Sequence, residues 1–505
     1  MELPRRLLRR RGARPVLLVV VVIVAWSVVN AVRGPSQPPN VKPAPLASAQ
    51  ADADAQDRAG EATPSGTSAD RGEVVQATRV PDVPAAWRRV AEQAAAWPSP
   101  DAAPELGRPA DLPTVPSSRM RDTIGLNVDL WRTEYAWADF PAVVDKVREL
   151  RLRHARVGMQ AGAAYGLERM QQLGRAGVRL DVVMGDGYGR FGTAPYATLA
   201  ERLRGSVLPY VDAVEGTNEA DLTERADWVQ VARRHQEQVS GTVEPDRGDP
   251  IGVIAPSVGR RANAEPLGDV SGLADAANAH AYASGGEPGA ALRSWLAAMQ
   301  PEVPGGPIVV TESGFQTDTR QRKYHTPTSP QAAAAYVPRT ILEAIRRGVP
   351  QVYLYEMVDR WSDPFHVDTA AHFGLLEHDL DPKPAWSALV RLQRALLDNG
   401  RPDVAAEPVR ATVEQAPADL RVLAFRKRDD TIALALWRSA SVWDAERQEE
   451  IPVPAEPVRI TVPADVGGAL ATDVVSGERR RLARGDVVSV ELTGSPVVVT
   501  GLQPG

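Results

Sequence analysis

Two kinds of apolar pattern divide this chain. From about residue 120 to residue 397, short runs of β-branched and other apolar residues alternate with longer segments whose apolar positions recur at helical spacing. The short runs fall at 123–128, 154–157, 179–184, 210–214, 251–254, 276–280, 308–311 and 351–355. Helix-length segments between them include 140–150, 226–239 and 331–347, and a last one spans 383–397. A short, nearly unbroken apolar run marks a strand buried on both faces, and parallel strands need crossover helices to join them. Eight such units predict an α/β fold, a parallel sheet closed into a (β/α)8 TIM barrel over residues 119–400. The rival, an open doubly wound sheet, carries a Gly-rich phosphate loop after its first strand, and none follows residue 128.

Past Pro402 the helical spacing disappears. Runs at 420–425 and 431–437, joined through Arg428-Asp-Asp430, read as a hairpin, and further runs follow at 458–462, 487–492 and 496–500. Residues 405–503 are therefore expected to form a small C-terminal β-sandwich, and no catalytic string lies in it.

The N-terminal end has a third character. Arg5, Arg6, Arg9, Arg10, Arg11 and Arg14 precede an apolar run from Val16 to Val32, about 17 residues and thus near the lower limit for a membrane span. A basic flank followed by such a run is a signal peptide or a signal anchor. Val29-Asn30-Ala31 is a poor cleavage site, which favours an uncleaved anchor over residues 1–33. The arginines then place everything after residue 33 outside the cytoplasm, membrane-anchored or secreted. Residues 34–118 are rich in Pro, Ala, Asp and Ser and read as a linker. Within it, 84–97 has good helix formers and apolar spacing, consistent with a short helix docking on the next domain.

Composition narrows the function. The 505 residues carry a net charge of -6, which argues against a nucleic-acid partner. There is no Cys, so disulfides and thiolate metal sites are excluded. His366, His372 and His378 form a loose group with Asp363, Asp368 and Glu377, but their spacing fits no standard metal box. Neither a metal nor a cofactor is expected.

The chemistry lies in two strings. Val214-Glu-Gly-Thr-Asn218-Glu219 and Ile308-Val-Val-Thr-Glu312-Ser-Gly-Phe315 each end an apolar run in a carboxylate followed by small or turn-forming residues. That is how a barrel strand delivers an acid to the C-terminal mouth. Two such acids are the minimum for cleaving a glycosidic bond, one protonating the leaving oxygen while the other attacks or activates water.

In order, these strings resemble the clan A glycoside hydrolases, retaining (β/α)8-barrel enzymes with paired glutamates on strands four and seven. Asn218-Glu219 is similar to the clan's acid/base string and Thr311-Glu312-Ser-Gly-Phe315 to its nucleophile string. Arg156 matches an arginine on strand two, and His280-Ala-Tyr282 matches a His-x-Tyr at the end of strand six. Gly374-Leu-Leu-Glu377 with Pro382-Lys-Pro-Ala-Trp386 looks like the clan's exit from strand eight. A β-sandwich after the barrel resembles the β-xylosidase/α-L-iduronidase-like branch. The chain departs from the clan in lacking its strand-eight tryptophan; Tyr355-Glu356 stands there, with Trp361 a little later. The first loop, from Asp129 to Glu134, fits no named subfamily.

The resemblance implies a retaining hydrolase acting on an oligosaccharide or a cell-surface or extracellular polysaccharide, with Glu312 as nucleophile and Glu219 as proton donor. Arg156, Asn218, His280, Tyr282, Trp131 and Glu356 are the substrate-binding candidates, with Trp361 and Tyr188 as further pocket aromatics. Each has a plain structural role open to it as well. Arg156 could be a buried ion-pair partner, His280 a satisfied core histidine, Trp131 simple packing. Glu215 is read as structural. The alternative function is a non-catalytic polysaccharide-binding scaffold, which has no need of both Glu219 and Glu312.

Overall fold

Eight short parallel strands close on themselves in the computed structural model of this chain, which describes residues 82–160, 164–185, 196–223, 225–242, 251–320, 325–397 and 406–504. The apolar segment at 16–32, the linker upstream of residue 82 and Tyr188 lie outside these residues. Among the described residues no helix is long and apolar enough to cross a membrane.

The barrel strands are β1 (Ile124–Asn127), β2 (His154–Gly158), β3 (Arg179–Val183), β4 (Val211–Glu215), β5 (Gly252–Ile254), β6 (Ala277–His280), β7 (Ile308–Ser313) and β8 (Val352–Leu354). They pair in parallel as β5-β4-β3-β2-β1-β8-β7-β6. A parallel bridge from Ile254 to Ala276 closes the ring. Nearly every strand residue is buried, as a sheet covered on both faces requires.

The crossovers are α1 (Phe140–Leu150), α2 (Ala164–Arg175), α3 (Tyr196–Arg202), α4 (Trp228–Ser240), α5 (Ala264–Leu267), α6 (Pro288–Met299), α7 (Pro330–Arg346) and α8 (Pro384–Leu396). Their starts are written locally. Asp139, Glu287 and Ser329 accept hydrogen bonds from the first-turn N–H groups of α1, α6 and α7, and each of these helices has a proline in its first two positions.

The stretch assigned to a linker up to residue 118 is largely folded from residue 83 on. Val83–Ala95 is a helix, capped by Asp82. Its Val83 and Trp87 pack against the inward-facing Ala213, Ile254, Ala276, Val309 and Tyr353, so the indole plugs the barrel where β5 and β6 begin. Gly252 makes room: a Cβ there would lie 2.4 Å from the Trp87 ring. Two short strands then leave the barrel altogether, and the linker reading missed them because their partners lie some three hundred residues away. Pro109–Leu112 pairs with β9 (Val409–Gln415), Leu112 facing Val409, and Thr114–Pro116 pairs with β10 (Leu420–Arg426), Thr114 facing Ala424.

The C-terminal β-domain therefore draws on both sides of the barrel in sequence. One sheet holds Pro109–Leu112, β9, β12 (Glu456–Thr461) and β15 (Val487–Leu492). The other runs β14 (Arg479–Arg481), β13 (Leu470–Asp473), β16 (Val497–Pro504), β11 (Ile432–Arg438), β10 and Thr114–Pro116. The two face each other across one apolar core that includes Val409, Leu434, Ile460 and Val499. The outer face of the second sheet is not exposed. Phe425, Ala435, Trp437 and Val498 join the core cluster of the barrel, which is why β11 is buried along its whole length. Polar bonds finish that contact on α7: the Trp437 indole N–H donates to Glu343 (2.7 Å), and Arg346 donates to the Val422 carbonyl (2.9 Å).

Trp87, at 3% exposure, is the largest side chain in the plug. Trp87→Ala should destabilise the protein by about 3–5 kcal/mol, the range for deleting a buried aromatic. Urea unfolding checks this; a loss below about 1 kcal/mol would mean the barrel floor does not depend on the N-terminal helix.

Candidate active site

At the C-terminal ends of the strands, β2 carries one buried arginine into the centre of the mouth. All five N–H donors of the Arg156 guanidinium are used. Nε and Nη2 form a bidentate pair with Glu215 at the end of β4 (2.7 Å each). Nη2 also donates to Asn218 Oδ1 (2.7 Å), and Nη1 donates to Asn127 Oδ1 (2.9 Å) and Glu312 Oε1 (2.7 Å). One planar fork thus ties together β1, β4, the loop after β4, and β7. Asn278 on β6 donates to Glu215 Oε1 (3.0 Å), completing that carboxylate's partners. The structural reading of Glu215 is the one its contacts bear.

Glu312 lies on β7 opposite His280, where the β6–β7 register slips by a residue between Ala279 and His280. Such an irregularity re-aims a side chain, and here it turns His280 to the mouth. His280 Nδ1 is 2.7 Å from Glu219 Oε1 and 3.5 Å from Glu312 Oε2. The Tyr282 hydroxyl donates to Glu312 Oε2 (2.8 Å). Glu219 enters from the turn after β4 with φ of 48°, a left-handed conformation unusual for a glutamate, and its N–H donates to Ser257 Oγ (3.1 Å). An oxygen of Glu219, a nitrogen of His280 and an oxygen of Glu312 all lie within 4.8 Å of one another.

The electrostatics separate the groups. Burial alone would raise the Glu312 pKa, but His280, Arg156 and the Tyr282 hydroxyl outweigh it and hold Glu312 below its ordinary value. For His280, burial works toward the neutral ring, yet the Glu312 and Glu219 carboxylates win and raise its pKa. The Tyr282 hydroxyl is pushed well above its usual range by burial and by Glu312, so it stays a donor.

Six of the residues singled out from the sequence therefore converge: Arg156, Asn218, Glu219, His280, Tyr282 and Glu312. Two do not join this network. The Trp131 indole N–H donates to the Gly158 carbonyl (2.6 Å) and its ring covers Gly166, anchoring the β1 loop to the β2 side. Glu356 lies beneath the β1 and β8 loops, paired with Arg360 at 3.4 Å. Trp361 stands in the same loop pair, with the Arg132 guanidinium 5.2 Å from its ring centroid. Other groups at the mouth were not singled out. Asn127 reaches past the neighbouring β8, its amide donating to the Thr311 carbonyl of β7 (3.1 Å). His325, Tyr355 and Phe373 surround Tyr282 with ring centroids 4.7, 6.4 and 5.9 Å away. His325 also feels both acids: burial depresses its pKa against their pull. It sits in a loop with no motif, so no sequence signal marks it.

Glu356 generates a pH prediction. Burial is the main cause that lifts its pKa to about 8; Arg360 opposes the rise, and Asp129 and Asp359 add to it. A carboxyl whose pKa is raised on folding stabilises fully only below its ordinary value, and that contribution is lost as pH climbs toward 8. Glu356→Gln, which mimics the neutral acid, should flatten the fall in stability between about pH 5 and pH 8. Equally steep falls in variant and parent, followed as melting temperature against pH, would refute this.

No family model matches the chain, and no curated protein matches it by sequence. Solved structures match by shape. A family 39 glycoside hydrolase from the gut symbiont Bacteroides cellulosilyticus WH2 is 16% identical with a TM-score of 0.53, over 77% of this chain and 82% of that one. A glucosidase from Croceicoccus marinus is 12% identical with a TM-score of 0.53, over 78% of this chain and 100% of that one. The chain is thus similar in fold to these two enzymes over most of the length of each.

Proposed function

We propose that this protein is a glycoside hydrolase that works by retaining double displacement, with Glu312 as nucleophile and Glu219 as general acid/base. The observation that carries the reading is the pair itself: two carboxylates at the barrel mouth with oxygens within 4.8 Å, one of them held ionised. Retaining enzymes keep their carboxyl groups about 5–5.5 Å apart, whereas inverting enzymes leave about 6.5–9.5 Å for a water molecule. A glycosidic bond bound across this pair places its anomeric carbon at Glu312 and its bridging oxygen at Glu219.

In the first step a Glu312 oxygen attacks the anomeric carbon as Glu219 gives its proton to the leaving oxygen. Arg156 and Tyr282 keep Glu312 oriented, and His280 holds Glu219 against it. In the second step Glu219, now ionised, takes a proton from water, and that water displaces Glu312 from the sugar. Asn218, fixed by Arg156, is placed to hold a hydroxyl beside the attacked carbon. Trp131, Glu356 and Trp361 belong to the surrounding loops and are proposed to bound the sugar sites further out. The substrate class is an oligosaccharide or a cell-surface or extracellular polysaccharide. A non-catalytic scaffold would have no use for an arginine that aligns one acid against another.

The two glutamates should fail differently. Glu219→Ala should retain turnover of aryl glycosides with good leaving groups, and azide should rescue its slow deglycosylation. Glu312→Gly should abolish retaining turnover, because no glycosyl-enzyme can form. General acid catalysis is worth about 10²–10⁴-fold, so the Glu219→Ala loss on unactivated substrates should be of that size. Wild-type rates in both variants would overturn the assignment in favour of the scaffold.

We also propose that residues 16–32 anchor the protein in the membrane, with the barrel outside the cytoplasm, on the strength of the arginine block and the apolar run. Protease added to intact cells should release a folded fragment that begins between residues 34 and 82. Complete protection of the chain would show the topology to be wrong.

A further inference from the structure

Beside the pocket, on the loops that follow β7 and β8, four side chains converge that the hydrolytic chemistry does not use. Asp318 follows β7, and Asp363, His366 and His372 follow β8. His366 Nδ1 lies 3.1 Å from Asp318 Oδ1, His372 Nε2 lies 3.2 Å from Asp363 Oδ2, and His372 Nε2 lies 3.8 Å from Asp318 Oδ2. Donor atoms of Asp318, His366 and His372 are all within 4.8 Å of one another. We propose that Asp318, His366 and His372 hold a structural zinc ion that clasps the two loops together next to the catalytic pocket, with Asp363, which already contacts His372, drawn in as the fourth ligand.

Three observations support it. The first is an orphaned oxygen: the Asp318 side chain is only 2% exposed, yet its Oδ2 accepts no hydrogen bond. A buried carboxylate oxygen without a hydrogen bond is costly, and this one faces His372 Nε2 at 3.8 Å. The second is spacing. Ligand bonds of about 2.0–2.2 Å in a tetrahedron put neighbouring donors roughly 3.3–3.6 Å apart, and the three separations straddle that range. The third is the state of His366. Arg320, which can only donate, reaches both His366 Nδ1 and Asp318 Oδ1. That ring nitrogen therefore carries a lone pair rather than a proton, now directed at Arg320, and a cation already faces these two ligands. Arg320 is 65% exposed on its side chain and can swing into solvent when an ion takes its place.

The donor set selects the ion. Two imidazoles and two carboxylates suit zinc, whereas calcium and magnesium prefer all-oxygen shells. With Asp363 drawn in beside the three mutually close donors, four protein ligands leave no open position, so the site is structural. Its placement gives it a consequence. Phe373 follows His372 directly and packs against Tyr282, the residue that donates to Glu312. The Thr317 N–H donates to the His372 carbonyl (3.0 Å), so the two loops already touch here. Sequence spacing hides the site because Asp318 comes from a different loop than the other three.

The test uses the full chain, stripped with EDTA and titrated with zinc chloride by calorimetry and thermal unfolding. One zinc per chain should bind, and the melting temperature should rise with zinc concentration. Cobalt(II) should give the intense visible bands of a tetrahedral site. Asp318→Asn and His366→Asn should each weaken binding by on the order of 100-fold or more. His366→Asn alters a partly exposed side chain, so the test stands even if Asp318→Asn fails to fold. Glu312→Gly should bind zinc as the parent does, which separates this site from the acid pair. Absence of binding, an octahedral cobalt spectrum, or binding that survives His366→Asn and disappears in Glu312→Gly would each overturn the proposal.

Discussion

The C-terminal face of the barrel depends on one buried guanidinium. Arg156 sits between Glu215 and Glu312, so each negative charge at the floor of the mouth meets a positive one. A buried ion pair repays its desolvation only when its geometry is good and its remaining donors and acceptors are satisfied. Here every guanidinium N–H has an acceptor, and the acceptors come from β1, β4, the turn after β4, and β7. Geometry of this kind positions as much as it stabilises. Lysine would keep the charge but could not fill a planar fork with five acceptors in fixed directions.

The rest of the barrel can be understood as support for that network. A parallel barrel has two open ends, and each is closed by different means. At one end Trp87 fills the axis against the bare face of Gly252. At the other, charged and aromatic side chains line it, with Glu219 more exposed than Glu312. Among the described residues the β-domain makes no hydrogen bond or ion pair to the acid pair. It covers α7 and α8 on the outside and shares the barrel's core cluster through Phe425 and Trp437. The helix that follows β7 is therefore buried along nearly its whole length, which leaves β7 little freedom to shift.

The loops after β7 and β8 show how much function is assembled from outside the regular elements. Tyr355, Phe373 and His325 form an aromatic wall behind Tyr282. His325 and Phe373 belong to no periodic segment, and Tyr355 lies just past the end of β8. Glu356 is another such case. Burial beneath two loops, rather than any property of its sequence neighbours, keeps its carboxyl neutral far above the usual range.

What the sequence determined by itself was local. Eight apolar runs alternating with amphipathic segments specify a parallel barrel, because a strand buried on both faces has a composition of its own. The strand-end carboxylates Glu219 and Glu312 were legible for the same reason: the change from apolar run to acid occurs within a few residues. Caps such as Asp139 and Ser329 mark helix starts in the same short-range way. Tertiary structure decided whatever depends on partners far away in the chain. Residues 109–116 look like linker until β9 and β10 arrive beside them. Residues 84–97 read as a helix docking on the next domain, but the place Trp87 takes is set only by the space that Gly252 leaves for it. Trp131 and Glu356 share the mouth's loops with the acids but are turned to other partners. Asp318 meets His366 and His372 only because β7 and β8 are neighbours in the ring. Pairing, burial and charge at such positions are properties of the closed barrel, and no stretch of sequence short enough to read by its own pattern contains them.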